Sequence, residues 1–328
     1  MDLTKPKRDH GGNLDQAIAT FGGPASEWID LSTGINRQPY PVPPLSPAAW
    51  TGLPTRAEMA RLTAAARTAW GVSGAILATA GAQAAIQLVP RLRPAGRARV
   101  LGPTYNEHAG ALRDAGWRVD EAPTLDALSG ADLAVVVNPN NPDGRRHAPE
   151  TLLALADRVG LLVVDESFAD PLPELSLAGA TGRENLVVLR SFGKFYGLAG
   201  VRLGFVLGAD ADIARLSAFS GPWPVSGVAI EIGCAALADR DWSARTIQRL
   251  RGECDRIDAL AAGAGWPLVG GCELFRTYDT LDAAAAQDRL ARARIWTRRF
   301  PYSSRWLRLG LPGSEPEWQR LAATLEVS

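Results

Sequence analysis

From residue 76 to residue 208 short apolar runs alternate with helical stretches, and that alternation limits the folds open to the chain. ILATAG (76–81) leads into AQAAIQLVPRL, ARVLGPTY (98–105) into NEHAGALRDAG, and LAVVVNPNNPDG (133–144) into PETLLALADRVG. LLVVDESFAD (161–170), NLVVLRSFGK (185–194) and VRLGFVLG (201–208) follow. The runs hardly alternate with polar residues, as in strands buried on both faces. Strands interleaved with helices predict an α/β fold with a mostly parallel sheet flanked by helices. Such sheets bind ligands beyond the carboxyl ends of their strands. Polar residues gather at those ends: Gly81-Ala82-Gln83, Tyr105, Asn138 to Gly144, Asp165, and Ser191 to Lys194.

The flanks divide the chain. Residues 1–45, with HGGN, a second Gly-Gly and QPYPVPPLSP, read as an N-terminal arm of little regular structure. Residues 46–225 are expected to form the large domain. SGPWPVS (220–226) breaks the pattern, and 226–328 read as a smaller α+β domain. A length of 328 residues fits such a division.

Charge excludes several functions. Acidic and basic residues balance at 35 each, so no net field draws nucleic acid or an anionic membrane. No apolar run approaches the roughly 20 residues of a membrane helix, and the N-terminus shows no secretory signal. Three cysteines and three histidines, widely spaced, form neither a disulfide framework nor a zinc site. A reducing cytoplasm is the expected location.

Three of the 35 basic residues are lysines: Lys5, Lys7 and Lys194. The rest are arginines, so from residue 8 onward one position alone carries an amine. An amine can form a Schiff base with an aldehyde, which a guanidinium cannot. Ser191 stands three residues before Lys194 and Arg202 eight after it, a hydroxyl and a fork suited to a phosphate. An aldehyde bearing a phosphate describes pyridoxal 5′-phosphate. Its pyridine nitrogen needs a buried carboxylate to stay protonated, and Asp165 closes a buried strand. Asn141 can donate to the ring oxygen, and Tyr105 can stack on the ring. Backbone N–H groups at Gly81-Ala82-Gln83 suit the phosphate.

NPNNPDG, then DES, then SFGKxxGLAGxRxGF resembles the class I/II aminotransferases of fold type I, over roughly 55–328. HGGNLDQA and WIDLSTGIN narrow the resemblance to the threonine-phosphate decarboxylase branch of cobalamin biosynthesis, related to histidinol-phosphate aminotransferase. The resemblance implies a homodimer, Lys194 as the aldehyde-binding residue, and Ala82, Gln83, Tyr105, Asn141, Asp165, Ser191 and Arg202 around the cofactor. For substrate it implies His10, Gly11, Gly34, Asn141, Arg298 and Arg308. Arg308 would clamp the α-carboxylate, and His10 with Arg298 would take a substrate phosphate. Either Arg298 or its neighbour Arg299 faces substrate. The implied reaction is decarboxylation of O-phospho-L-threonine to (R)-1-amino-2-propanol phosphate. An aminotransferase of the histidinol-phosphate kind and a non-catalytic partner in corrinoid assembly are the alternatives. Two positions depart from the family pattern: Phe168 replaces a tyrosine, and Leu53 replaces the tyrosine that reaches a partner subunit's cofactor phosphate.

Overall fold

A computed structural model of the chain describes residues 10–326, so the first nine residues of the expected arm, with Lys5 and Lys7, lie outside the described residues. The chain divides into two compact units. The larger comprises 35–251 and 271–274; the smaller comprises 1–34, 252–270 and 275–328.

A seven-stranded sheet forms the centre of the larger unit. Its order is Ala75–Thr79, Gly204–Gly208, Leu186–Ser191, Leu162–Asp165, Leu133–Val137, Arg97–Leu101, Arg118–Ala122. Every strand runs the same way except Gly204–Gly208, which is antiparallel to both neighbours. The predicted strands are present, with both faces covered as their apolar runs require. Leu77, Val100, Leu133, Val135, Val163, Val187, Leu189 and Val206 share one core.

The seventh strand, Arg118–Ala122, is absent from the sequence reading. It is an edge strand with Ala122 as its one buried side chain, so no apolar run marks it. Helix Arg56–Trp70 begins in a capping box, Thr55 with Glu58, and ends at left-handed Gly71.

The compact units part elsewhere than at the expected boundaries, residues 45 and 225. Helix Gly227–Ala238 packs against helix Arg56–Trp70 within the larger unit. A Cβ on Gly233 would stand 2.8 Å from Leu62 and 2.7 Å from Leu203, so a side chain-free position lets this helix close on the core. The break at SGPWPVS is therefore a bend inside a unit.

The smaller unit joins the two ends of the chain. Strands Arg298–Phe300, Ser303–Gly310 and Phe275–Asp279 run antiparallel, and Ile29–Asp30 pairs in parallel with Ile295–Trp296. The stretch expected to be irregular contains helix Leu14–Phe21, a correction to the sequence reading. Asn13 caps it through a 3.4 Å bond from the Gln16 N–H. Leu14, Ala17, Ile18 and Phe21 fall on one face and pack with Trp28, Ala291 and Trp296. Glycine pairs on both sides of an amphipathic helix of about two turns conceal its period. No described helix is long and apolar enough to cross a membrane.

Candidate active site

Sheet polarity gathers the candidate residues of the larger unit. Parallel strands deliver Asp165, Ser191, the Asn138–Gly144 turn and the Tyr105 turn to one edge. Ala75–Thr79 delivers Gly81 to the same edge, and the reversed strand Gly204–Gly208 starts there, just after Arg202.

Asp165 is buried, and both its oxygens are engaged. Oδ2 lies 2.7 Å from His108 Nε2. Oδ1 accepts from the Ser167 N–H at 2.9 Å and the Ser167 hydroxyl at 2.5 Å. Burial pushes the carboxyl up. The hydrogen bond and charge of His108 and both Ser167 bonds outweigh it and hold Asp165 below the usual aspartate range. A carboxylate held charged inside the protein is what a protonated ring nitrogen requires.

His108, buried in the first turn of helix Asn106–Asp114, escaped the sequence reading. Its one signal is its place a helical turn after Tyr105 in TYNEH. The Tyr105 hydroxyl donates to Gln83 Oε1 at 3.3 Å, and Gln83 Nε2 donates to Glu107 Oε2 at 2.6 Å. One helix start thus carries two anchors, His108 on Asp165 and Glu107 on Gln83.

Gly81, at φ 78°, opens helix Ala82–Leu88. A Cβ there would meet Arg202 Nη2 at 2.7 Å, and a Cβ on Gly204 would meet the Ala82 nitrogen at 2.4 Å. Glycine at both places lets the guanidinium and the strand start reach the helix's amino end. Ser191 pairs in register with Gly204, so Ala82, Gln83, Ser191 and Arg202 converge. A cation, a hydroxyl and helix N–H groups form a donor set for phosphate.

Lys194 sits on the four-residue helix Phe192–Phe195, directly after the Ser191 strand. Its Nζ stands 5.5 Å from the ring centre of Phe168. Behind Asp165, buried Arg190 pairs with Glu166 at 2.9 Å and Asp170 at 2.6 Å, tying the DESFAD turn to the strand that ends at Ser191. Asn141 lies in a turn built by its neighbours. Asn138 exchanges bonds with the His147 backbone, and Asn140 bonds Thr104, Asp143 and the Pro103 carbonyl.

The smaller unit contains the remaining candidates. His10, Gly11 and Arg298, with Asn13, Arg299 and Ser303, line a cavity of about 450 Å³. Residues 11 and 12 lie close against Ser32: a Cβ on Gly11 would lie 2.4 Å from the Ser32 carbonyl oxygen, and the Gly12 N–H donates to Ser32 Oγ at 2.7 Å. Arg308 is buried, donates to the Ser32 carbonyl at 2.6 Å, and pairs in register with Arg298 on the adjacent strand. Gly34 is buried two residues beyond Ser32.

A parallel sheet with one reversed strand, whose carboxyl edge holds a lysine and a buried aspartate, defines fold type I. The chain belongs to the aminotransferase class I and II family, whose model matches residues 54–325. It is 44% identical over 326 residues to a threonine-phosphate decarboxylase from Sinorhizobium sp, covering 96% of this chain and 97% of that one. A threonine-phosphate decarboxylase from Pseudomonas aeruginosa is likewise 44% identical, with 97% of each chain covered. Among solved structures, the L-threonine-O-3-phosphate decarboxylase of Porphyromonas gingivalis matches with a TM-score of 0.71 at 26% identity, over 81% of this chain and 87% of that one.

Proposed function

We propose that the chain is a pyridoxal 5′-phosphate enzyme that decarboxylates O-phospho-L-threonine to (R)-1-amino-2-propanol phosphate in cobalamin biosynthesis. The observation that carries this reading is 44% identity, along nearly the whole chain, to two threonine-phosphate decarboxylases.

The residues fit the cofactor. Gly81 and Gly204 let the Arg202 guanidinium and the strand start come close to the amino end of helix Ala82–Leu88, where a phosphate would find a cation and backbone N–H groups. Asp165 is charged and buried, the partner a pyridinium needs. In this reading Ala82, Gln83, Ser191 and Arg202 hold the phosphate. Asp165 holds the ring nitrogen, Tyr105 the ring face and Asn141 the ring oxygen, while Lys194 bonds the aldehyde. When bound, the cofactor supplies an electron sink for the pair released at the substrate Cα.

The protein's task is to choose which Cα bond breaks. Arg308 would fix the α-carboxylate, and with it which Cα bond is aligned for cleavage. His10 and Arg298 take the substrate phosphate in their shared cavity, lined also by Gly11; Gly34 and Asn141 are the other substrate residues of this reading. Lys194, as its ammonium, would deliver the proton that replaces CO₂ at Cα. Asp165 keeps the ring nitrogen protonated throughout, with His108 holding the carboxylate in place.

A homodimer accompanies this reading. Val42, Trp50, Leu53 and Trp223 each stand exposed on the larger unit, apolar side chains that a second copy would cover. Cys234, Cys254 and Cys272 form no disulfide, which suits a cytoplasmic location.

The test is incubation of cofactor-loaded protein with O-phospho-L-threonine. The expected products are CO₂ and aminopropanol phosphate in equal amounts. A keto acid and pyridoxamine phosphate without CO₂ would replace this reading with an aminotransferase.

A further inference from the structure

The segment just after Gly34 is fastened to the turn that carries Lys194. The Asn36 N–H donates to the Lys194 carbonyl at 3.0 Å, Asn36 Nδ2 donates to the Phe195 carbonyl at 2.9 Å, and the Tyr40 N–H donates to the Tyr196 carbonyl at 2.9 Å. Three successive carbonyls are therefore taken by residues 36–40. A helix of four residues leaves its terminal carbonyls short of partners: the Gly197 N–H donates to the Lys194 carbonyl at 3.2 Å, and residues 36–40 add the rest. The fit is close. Gly197 takes φ 70°, and a Cβ there would lie 2.5 Å from the Asn36 carbonyl oxygen and 2.7 Å from Pro39 Cα.

Asn36 is buried, and its other amide atom is engaged too. Oδ1 accepts from the Gln38 N–H at 3.0 Å and from Arg249 Nη2 at 2.9 Å. These partners settle the amide's orientation: donors face Oδ1 and a carbonyl faces Nδ2. Only an amide of this length offers both roles. Aspartate keeps the length and two acceptors but has no donor for Phe195. Serine is too short to span the same partners.

We propose that Asn36 is a positioning residue for Lys194, setting where the amine stands by holding the backbone of its turn. The proposal rests on the reading of Lys194 as the aldehyde-binding residue. Nothing else in the described structure bonds two adjacent carbonyls of that turn through one residue's backbone and side chain.

The experiment uses cofactor-loaded protein and three variants, Asn36→Asp, Asn36→Ala and Arg249→Met, with Thr55→Ala as a helix-cap control remote from the turn. Four quantities are read: the pH midpoint of the bound-cofactor absorbance band, kcat, KM and Tm. Asn36→Asp and Asn36→Ala are expected to move the absorbance midpoint by about half a unit or more. Their kcat should fall about 10- to 100-fold, the cost of displacing a reacting group by about an ångström, with KM little changed. Thr55→Ala should lower Tm and leave the midpoint alone. Arg249→Met should shift the midpoint in the same direction, but less.

An Asn36→Asp protein with wild-type midpoint and kcat overturns the proposal. So does a Thr55→Ala protein that moves the midpoint as far for the same loss of Tm. If neither Asn36 variant folds, a folded Arg249→Met with an unaltered midpoint overturns it. A wild-type protein whose band survives Lys194→Ala overturns the reading of Lys194 and this inference together. A wild-type band lost in Lys194→Ala, with Asn36→Asp unchanged, overturns the inference alone.

Discussion

The two compact units carry chemistry built in different ways. The candidate cofactor residues of the larger unit come from successive strand ends, so chain order and sheet polarity bring them to one edge. The cavity of the smaller unit is lined by residues far apart along the chain, His10 before the first helix and Arg298 on an antiparallel edge strand, rather than by successive strand ends. The larger unit's groups are cross-braced inside the protein: Asp165 by His108, Gln83 by Glu107, Arg190 by two carboxylates. In the smaller unit, buried Arg308 bonds the Ser32 carbonyl, and the cavity beside His10 stays open. A braced site suits a resident cofactor, and an open polar cavity suits a substrate that comes and goes.

If that contrast holds, substitutions in the larger unit change cofactor absorbance or affinity. Those in the smaller unit change KM and leave the absorbance intact. The largest effect is expected for Lys194→Ala, which should remove the bound-cofactor band and lower CO₂ release at least about a thousandfold. Release at the wild-type rate would break the comparison at its centre. Asp165→Asn should follow, with a loss of roughly 100-fold or more in kcat, since a neutral amide does not hold a pyridinium. Single-turnover measurements separate this loss from weaker cofactor binding.

Arg298→Ala is expected to raise KM for O-phospho-L-threonine about 10- to 100-fold, the worth of a charge-assisted contact, with an unchanged cofactor spectrum. If Arg299→Ala has that effect instead, the substrate-facing arginine is its neighbour.

A smaller effect concerns acid stability. Asp165 has a folded-state pKa below its unfolded value. Its contribution is therefore present above the unfolded aspartate pKa of about 4, and is lost as pH falls through the folded value. His108→Asn removes the imidazole partner that helps hold Asp165 low, so the acid-unfolding midpoint of the cofactor-free protein should move to higher pH, read by far-UV circular dichroism. The smallest effect is for Leu53→Tyr. Restoring the family's tyrosine should tighten cofactor binding roughly fivefold in the dimer, about 1 kcal/mol of hydrogen bond. An equal gain in a monomeric protein would place Leu53 away from any subunit interface.

Legibility in the sequence followed the range of the interactions. The Lys194 string, Asp165 and the NPNNPDG turn were readable because each is local: a buried strand, then a polar residue at its end. His108 was not, because its role depends on a carboxylate 57 positions away. Asn36 stood in view inside STGIN, yet apart from Gln38 its partners lie beyond residue 190. Strand Arg118–Ala122 was missed because an edge strand with one buried side chain has no apolar signature. Helix Leu14–Phe21 was missed because its period is short and glycine-flanked.

The amino-acid sequence by itself determined the α/β alternation, the position of the one amine beyond residue 8 and the family. These depend on residue type and spacing, and backbone periodicity reports them directly. Tertiary structure decided which residues brace the site, where the units divide, and that His10 and Arg298 share one cavity. Hydrogen bonds act over about 3 Å whatever the separation along the chain, so only the folded arrangement selects those partners.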